Sequence, residues 1–191
     1  MRHDHADWPS DPYPETWEAI SDFRYRTALS LIRPLNVVLE RLGEDGDYIL
    51  QHDFNADYRL DGVETRRITV PCGLITDLTS VPRILRVFVG RVGPWLEAAI
   101  VHDYLYVAWQ DVPGREPRPR DRLFADRMML RAMEAADVGW LTRWAIYRIL
   151  RAFGWSAFRR RNSRRYAELD TPSLEGALAF RLPSRRSLYR P

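Results

Sequence analysis

The chain has one cysteine, Cys72, and no lysine. It has no apolar run near the roughly 18 residues that a membrane-spanning helix needs. A single cysteine excludes an internal disulfide, a stapled secreted scaffold and any multi-cysteine zinc site. Without lysine, all 29 basic residues are arginine, which reads as codon bias rather than a functional choice. The opening Met1-Arg2-His3-Asp4-His5 has no apolar core, so no secretory signal is expected. What remains is an ordinary globular balance: 191 residues, 46% hydrophobic and 29% charged, enough for one domain with tails. Aromatics reach 12%, with seven Trp.

The net charge of +3 is unevenly spread. Residues 159–191 carry nine Arg against Glu168, Asp170 and Glu175, so the basic character belongs to this tail. Such a tail attracts nucleic acid, anionic lipid or an acidic partner protein, or simply stays solvated. It is expected to contribute little to the core. Residues 1–16, rich in Asp, Pro and His without periodicity, read as a flexible arm. The single domain is then 17–158.

Within it, Trp17 to Leu42 mixes apolar and Arg positions at helix-like spacing, broken at Pro34. From Asp47 the period becomes two. Tyr48–Phe54 and Tyr58–Leu60 read as strands joined by Asn55-Ala56-Asp57, and His52 falls within the first. Asp61-Gly62 is a turn, and Arg67–Pro71 a third strand. Cys72 to Arg83 lacks a clean period and reads as a structured loop leading into a short helix. After Pro94 the helical period is clear, with Trp95, Ala98, Ala99, His102, Leu105 and Tyr106 at three- and four-residue steps. Asp111–Arg120, with three Pro, is a loop. Asp121–Ala136 is a second helix and Trp140–Phe158 a third. The third carries Trp144, Tyr147, Leu150 and Phe153 at the 3.6 period; core packing is the expectation, contact with a bilayer interface the alternative. The fold class is α+β: a small antiparallel sheet, then a helical core with two antiparallel helices bearing His102 and Asp126.

His102 and Tyr106 lie four residues apart on one otherwise apolar helix face. Buried polar groups need partners. Asp126, in an apolar stretch of the next helix, can face His102. An Asp receiving the His Nδ1–H fixes the tautomer and supports the imidazolium, leaving the other nitrogen to take a proton from water. Asp103 points about 100 degrees away around the helix and could hold a cation near that water. The same three groups could equally form a structural network. Asp77, with Thr76 and Ser80, reads as loop capping or as a second cation ligand. A zinc phosphohydrolase would need further upstream His ligands, and Cys72 has no evident base beside it.

Three ordered motifs resemble an uncharacterised family of tailed-phage and prophage proteins. They are Val70–Arg83 (V-P-x-G-x-x-T-D-x-x-S-V-P-R), Ala99–Tyr106 (A-x-x-H-D-x-L-Y) and Arg122–Asp126 (R-x-x-A-D). That resemblance implies a location in the host cytoplasm or on the virion, and other phage proteins as partners. Over about 40 residues the chain also resembles phospholipases A2, disulfide-free viral capsid forms above all. Here Ala98-Ala99-Ile100-Val101-His102-Asp103-Tyr104-Leu105-Tyr106 is followed by a loop and Ala125-Asp126. This resemblance implies that His102 activates water, Asp126 orients His102, Tyr106 bonds to Asp126, and Asp103 ligates calcium, with a phospholipid or other acyl ester as substrate. The Gly-rich calcium loop of those enzymes has no clear copy in Gly90–Gly93 or Cys72-Gly73.

Overall fold

The computed structural model describes residues 11–32, 47–77, 93–162 and 165–167, without the side chains of Asp47 and Asp77. Six strands come first: β1 (Ile20–Tyr25), β2 (Leu31–Ile32), β3 (Asp47–Leu50), β4 (Phe54–Leu60), β5 (Glu64–Val70) and β6 (Ile75–Asp77). Four helices follow: α1 (Leu96–Val107), α2 (Pro119–Ala135), α3 (Trp140–Phe153) and the single turn α4 (Trp155–Phe158). A 3-10 turn, Ala108–Asp111, ends α1. The α+β class holds, as two small antiparallel sheets followed by helices.

One sheet has the order β1-β4-β5 and the other β2-β3-β6. β1 falls in the stretch expected to be helical. The register on β4 slips between Ser21 and Arg24, where Asp22 takes a left-handed φ of 51 degrees. This bulge turns Ile20 and Phe23 toward the core together, and both are buried. The i, i+3 spacing that suggested a helix is therefore that of a bulged strand. Residues 33–42 of the same stretch lie outside the described residues.

Asn55-Ala56-Asp57, expected to be a turn, is the middle of β4. Ala56 is fully buried, and Asn55 Oδ1 accepts the Thr69 hydroxyl across the ladder. Asp57 accepts hydrogen bonds from Arg26 and Arg67. These bonds, that from Arg67 foremost, hold its carboxyl below the usual carboxylate range. Cross-strand pairing thus overrides the turn preference of Asn and Asp. His52 sits exposed at the bend between β3 and β4.

Residues 11–17, most of them assigned to the loose arm, are packed down. Tyr13 is buried and its hydroxyl donates to the Leu105 carbonyl. Arg115 ties Asp11 to Asp121 at the start of α2. Tyr13, Trp17 and Tyr58 pack edge-on around the fully buried Phe124. Burying such a ring contributes about 1.5–3 kcal/mol. The first ten residues lie outside those described.

α2 is the central helix, in contact with β1, α1 and α3. It starts on Pro119, whose missing N–H costs nothing at a first turn. Arg127 and Arg131 donate to the carbonyls of Glu18 and Ile20, fastening it along β1. α1 is buried around most of its circumference, which is where a polar residue is most costly without a partner. α3 differs from expectation: only Ile146 is buried, Trp144, Tyr147 and Leu150 are half-buried, and Phe153 is 68% exposed. The third helix also breaks at Gly154, so it is two elements rather than one.

The basic tail is not detached over its described part. Ile75 N–H donates to the Arg165 carbonyl at 2.9 Å, and Ala167 N–H to the Gly73 carbonyl at 2.8 Å. Leu74 and Tyr166 form an antiparallel bridge. Gly73 has φ +83 degrees, and a β-carbon there would come 2.5 Å from the Ala167 carbonyl oxygen, so only glycine fits. Arg165 and Tyr166 both bond to Asp111. Leu174, Ala177, Leu178 and Phe180, singled out as an amphipathic piece, lie outside the described residues.

Candidate functional site

α1 supplies His102 and Tyr106, one helical turn apart, and α2 supplies Asp126 opposite them. The His102 Nε2 lies 3.1 Å from Asp126 Oδ1. The Tyr106 hydroxyl donates to the same oxygen at 2.7 Å. The two rings are in contact, with centroids 4.0 Å apart. The three residues singled out from the sequence thus form one cluster. It is buried: His102 is 5% exposed and Asp126 1%.

The orientation of the imidazole differs from expectation. Nε2, not Nδ1, faces the carboxylate. An ionised carboxylate only accepts, so Nε2 must carry the hydrogen, and the lone pair of neutral His102 sits on Nδ1. Among the described residues the ring makes no other hydrogen bond. Nδ1 is therefore the atom able to take a proton.

The carboxylate is held by more than α1. Arg151, from the last turn of α3, donates to Asp126 Oδ2 at 2.8 Å. Burial pushes the Asp126 carboxyl up, but the bonds from His102, Arg151 and Tyr106 prevail, and it is held below the usual carboxylate range. Tyr106 is pushed well above its ordinary value by burial and then by the Asp126 charge. It therefore stays protonated and remains a donor.

Three contributors to the site were not identified from the sequence. Arg151 was not singled out in the sequence, where it is one of 29 arginines. Arg122 stood in the R-x-x-A-D motif without a role. It lies one turn before Asp126 and donates to the carbonyls of Leu150 and Arg151 at 3.4 and 3.1 Å. A cation at these last-turn carbonyls suits the negative end of α3. Gly154 is the third. A β-carbon there would overlap the Tyr106 hydroxyl, so the absence of a side chain at Gly154 leaves the room in which that hydroxyl meets Asp126. The spacing of Arg122 and Asp126 on one face was the only sequence signal for this corner.

Asp103 is directed elsewhere. Its Oδ2 accepts the hydroxyl of buried Thr76 at 2.6 Å, joining β6 to α1. The T-D and H-D motifs are therefore in contact through Thr76 and Asp103. The Asp77 side chain and residues 78–92 lie outside those described. So do the His and Asp of the first seven residues. Among the described residues no three His, Cys, Asp or Glu side chains converge as a metal site would require. Partial burial, with the Asp53 carboxylate, pushes the Cys72 thiol above its usual value, which is the opposite of nucleophile activation.

No curated protein and no solved structure matches the chain. Residues 52–150 match the family described as protein of unknown function DUF1353. The match runs from just before β4 through both site helices to the last turn of α3, and on that extent the chain belongs to the DUF1353 family.

Proposed function

We propose that the chain is a hydrolase of the phospholipase A2 type, acting on a phospholipid or other acyl ester. The observation that carries this is the contact of His102 Nε2 with the ionised Asp126, which assigns the basic lone pair to Nδ1. Nδ1 takes a proton from water as the water oxygen attacks the ester carbonyl. The resulting imidazolium is stabilised by Asp126 and returns the proton to the departing alkoxide. Tyr106 and Arg151 are positioning residues, since they touch Asp126 and not the reacting atoms.

A calcium ion on Asp103 and Asp77, as the phospholipase resemblance implies, would need further oxygens, because calcium takes six to eight. The described donors do not supply them, and Asp103 is already bonded to Thr76. The steps above use no metal. A phage or prophage setting, with a host-cytoplasmic or virion location, is supported by the three ordered motifs.

A second reading is favoured by a specific observation. Asp126 is charge-paired with Arg151 as well as bonded to His102 and Tyr106, which also describes a structural network in a non-catalytic phage interaction protein. Hydrolysis of phospholipid vesicles and a short ester, with and without calcium, separates the two. On the hydrolase reading, His102→Asn lowers the rate by about 10²–10⁴. On the structural reading there is no hydrolysis to lose, and His102→Asn and Asp126→Asn each cost about 1–3 kcal/mol of stability. Absence of turnover in the purified wild type under all these conditions would falsify the hydrolase reading.

A further inference from the structure

A cleft of about 610 Å³ lies between α2, α3 and the residues that open β1. Sites for small organic ligands usually measure about 300–1,000 Å³. Three kinds of chemistry line this one.

The first is cationic. Arg127 and Arg131 come from α2, and Arg143 and Arg148 from α3. Against these four stand two carboxylates, Glu18 and Glu134. Glu134 is shared, since Arg131 donates to one of its oxygens at 2.7 Å and Arg143 to the other at 3.0 Å. Two guanidinium groups are then left without an acid. Arg127 donates one bond, to the Glu18 main-chain carbonyl, and rests over the Trp17 ring. Arg148 is exposed and makes no hydrogen bond or ion pair among the described residues. A guanidinium carries five N–H groups, so both have donors to spare. The charge of the cleft is mixed but not balanced, and its surplus calls for an anion. A planar fork of donors suits a phosphate above all.

The second is aromatic. Trp144 and Tyr147 are half-buried and meet edge-on, with centroids 5.5 Å apart and planes at 87 degrees. Each restrains the other, which makes them platforms for a planar partner. The third is the Glu18 carboxylate, which is exposed and accepts no hydrogen bond among the described residues. It suits hydroxyl donors, as an acid that takes the diol of a ribose does.

We infer that this cleft binds a mononucleotide, a phosphomonoester that carries a planar ring and hydroxyl groups. Such a ligand engages all three kinds of lining, whereas an inorganic anion leaves the two rings and Glu18 without a role. The inference goes beyond the hydrolase reading and does not rest on it, because none of these side chains is hydrogen-bonded to His102, Tyr106 or Asp126.

The test is isothermal titration calorimetry of the full chain at low salt. The probes are AMP, UMP, adenosine and inorganic phosphate. AMP or UMP should bind one-to-one with a dissociation constant below about 1 mM. Phosphate should bind at least about tenfold more weakly than the nucleotide, because it lacks the stacking ring. Adenosine should also bind at least about tenfold more weakly than AMP, because it lacks the charge-assisted bonds. Arg148→Glu should weaken nucleotide binding by about tenfold or more and leave adenosine unaffected. Glu18→Gln should weaken AMP and adenosine alike and leave phosphate unaffected. Neither side chain holds a bond in the fold, so an unchanged melting transition confirms that both variants are intact. Failure of the wild type to bind either nucleotide would overturn the proposal. Phosphate binding as tight as that of the nucleotides would reduce the cleft to an anion site and overturn it too. Undiminished nucleotide binding by Arg148→Glu would place the ligand elsewhere, with the same consequence.

Discussion

Arg122 and Asp126, one turn apart on α2, grip the same turn of α3 with opposite charges. Arg122 takes the main-chain carbonyls of Leu150 and Arg151, while Asp126 takes the guanidinium of Arg151. The end of α3 is thus fixed by main chain and side chain together. The carboxylate that meets His102 is positioned from three helices rather than two.

Gly154→Ala should be destabilising although its φ of −72 degrees suits any residue. By helix preference alone alanine would be favourable. The overlap with the Tyr106 hydroxyl, and with the Leu150 carbonyl oxygen at 2.7 Å, reverses this, and the expected cost is about 1–3 kcal/mol. In a Tyr106→Phe background, where that hydroxyl is gone, the same substitution should cost clearly less. Equal costs in the two backgrounds, measured by denaturant unfolding, would assign the effect to something other than Tyr106.

Arg122→Met should lower stability by about 1.5–3 kcal/mol, through loss of two bonds from a charged donor. Arg122→Lys should restore little of this. A single ammonium group cannot span two carbonyls as a planar guanidinium does. Full recovery with lysine, read from the melting temperature, would rule out the forked grip as the cause.

Asp126 also sets an acid limit. Its carboxyl lies below the ordinary value of 3.8 in the folded chain, so its ionised form stabilises the fold above that value. The contribution is lost as the pH falls through and below that value. Stability of the wild type should therefore drop on acidification in this range. Asp126→Asn should start from lower stability at neutral pH and show a shallower drop. An acid limb of unchanged steepness in the variant would assign acid unfolding to other carboxylates.

Residues 165–167 should be worth a measurable part of the stability. A chain ending after Asn162 loses the two main-chain bonds to Gly73 and Ile75 and both side-chain bonds to Asp111. Compared with a chain ending after Ala167, it should be less stable by about 2–4 kcal/mol. Matching urea midpoints for the two chains would mean that the added strand contributes nothing.

Much of the helical part was legible. A 3.6-residue apolar period carries α2 and a nearly all-apolar run carries α1, and polar His102, Tyr106 and Asp126 stand out because buried polar groups need partners. The strands were harder. The bulge in β1 gives a strand the spacing of a helix. Asn55 and Asp57 carry turn chemistry that pairing with Thr69, Arg26 and Arg67 overrides. Arg151 could not be found, since an arginine at a helix end looks alike whether it faces water or a buried carboxylate. Gly154 was passed over inside one helix from Trp140 to Phe158, and its service to Tyr106 depends on a contact between residues 48 positions apart. The tail composition suggested solvation, and only the described bonds of Arg165 and Tyr166 show otherwise.

The bridge between Leu74 and Tyr166 joins a segment ahead of the helices to one behind them. A growing chain must release all three long helices from the ribosome before this closure can form. Contacts between such distant segments form after the local ones, because loop closure costs entropy first. An interaction made after the rate-limiting step slows unfolding and leaves refolding unchanged. Stopped-flow fluorescence of the chains ending after Asn162 and Ala167 should thus give equal refolding rates and faster unfolding for the shorter one. Slower refolding of the shorter chain would place the closure before the barrier instead. On this order of events the terminal segment works as a latch, determining how long the finished molecule lasts rather than how quickly it is made.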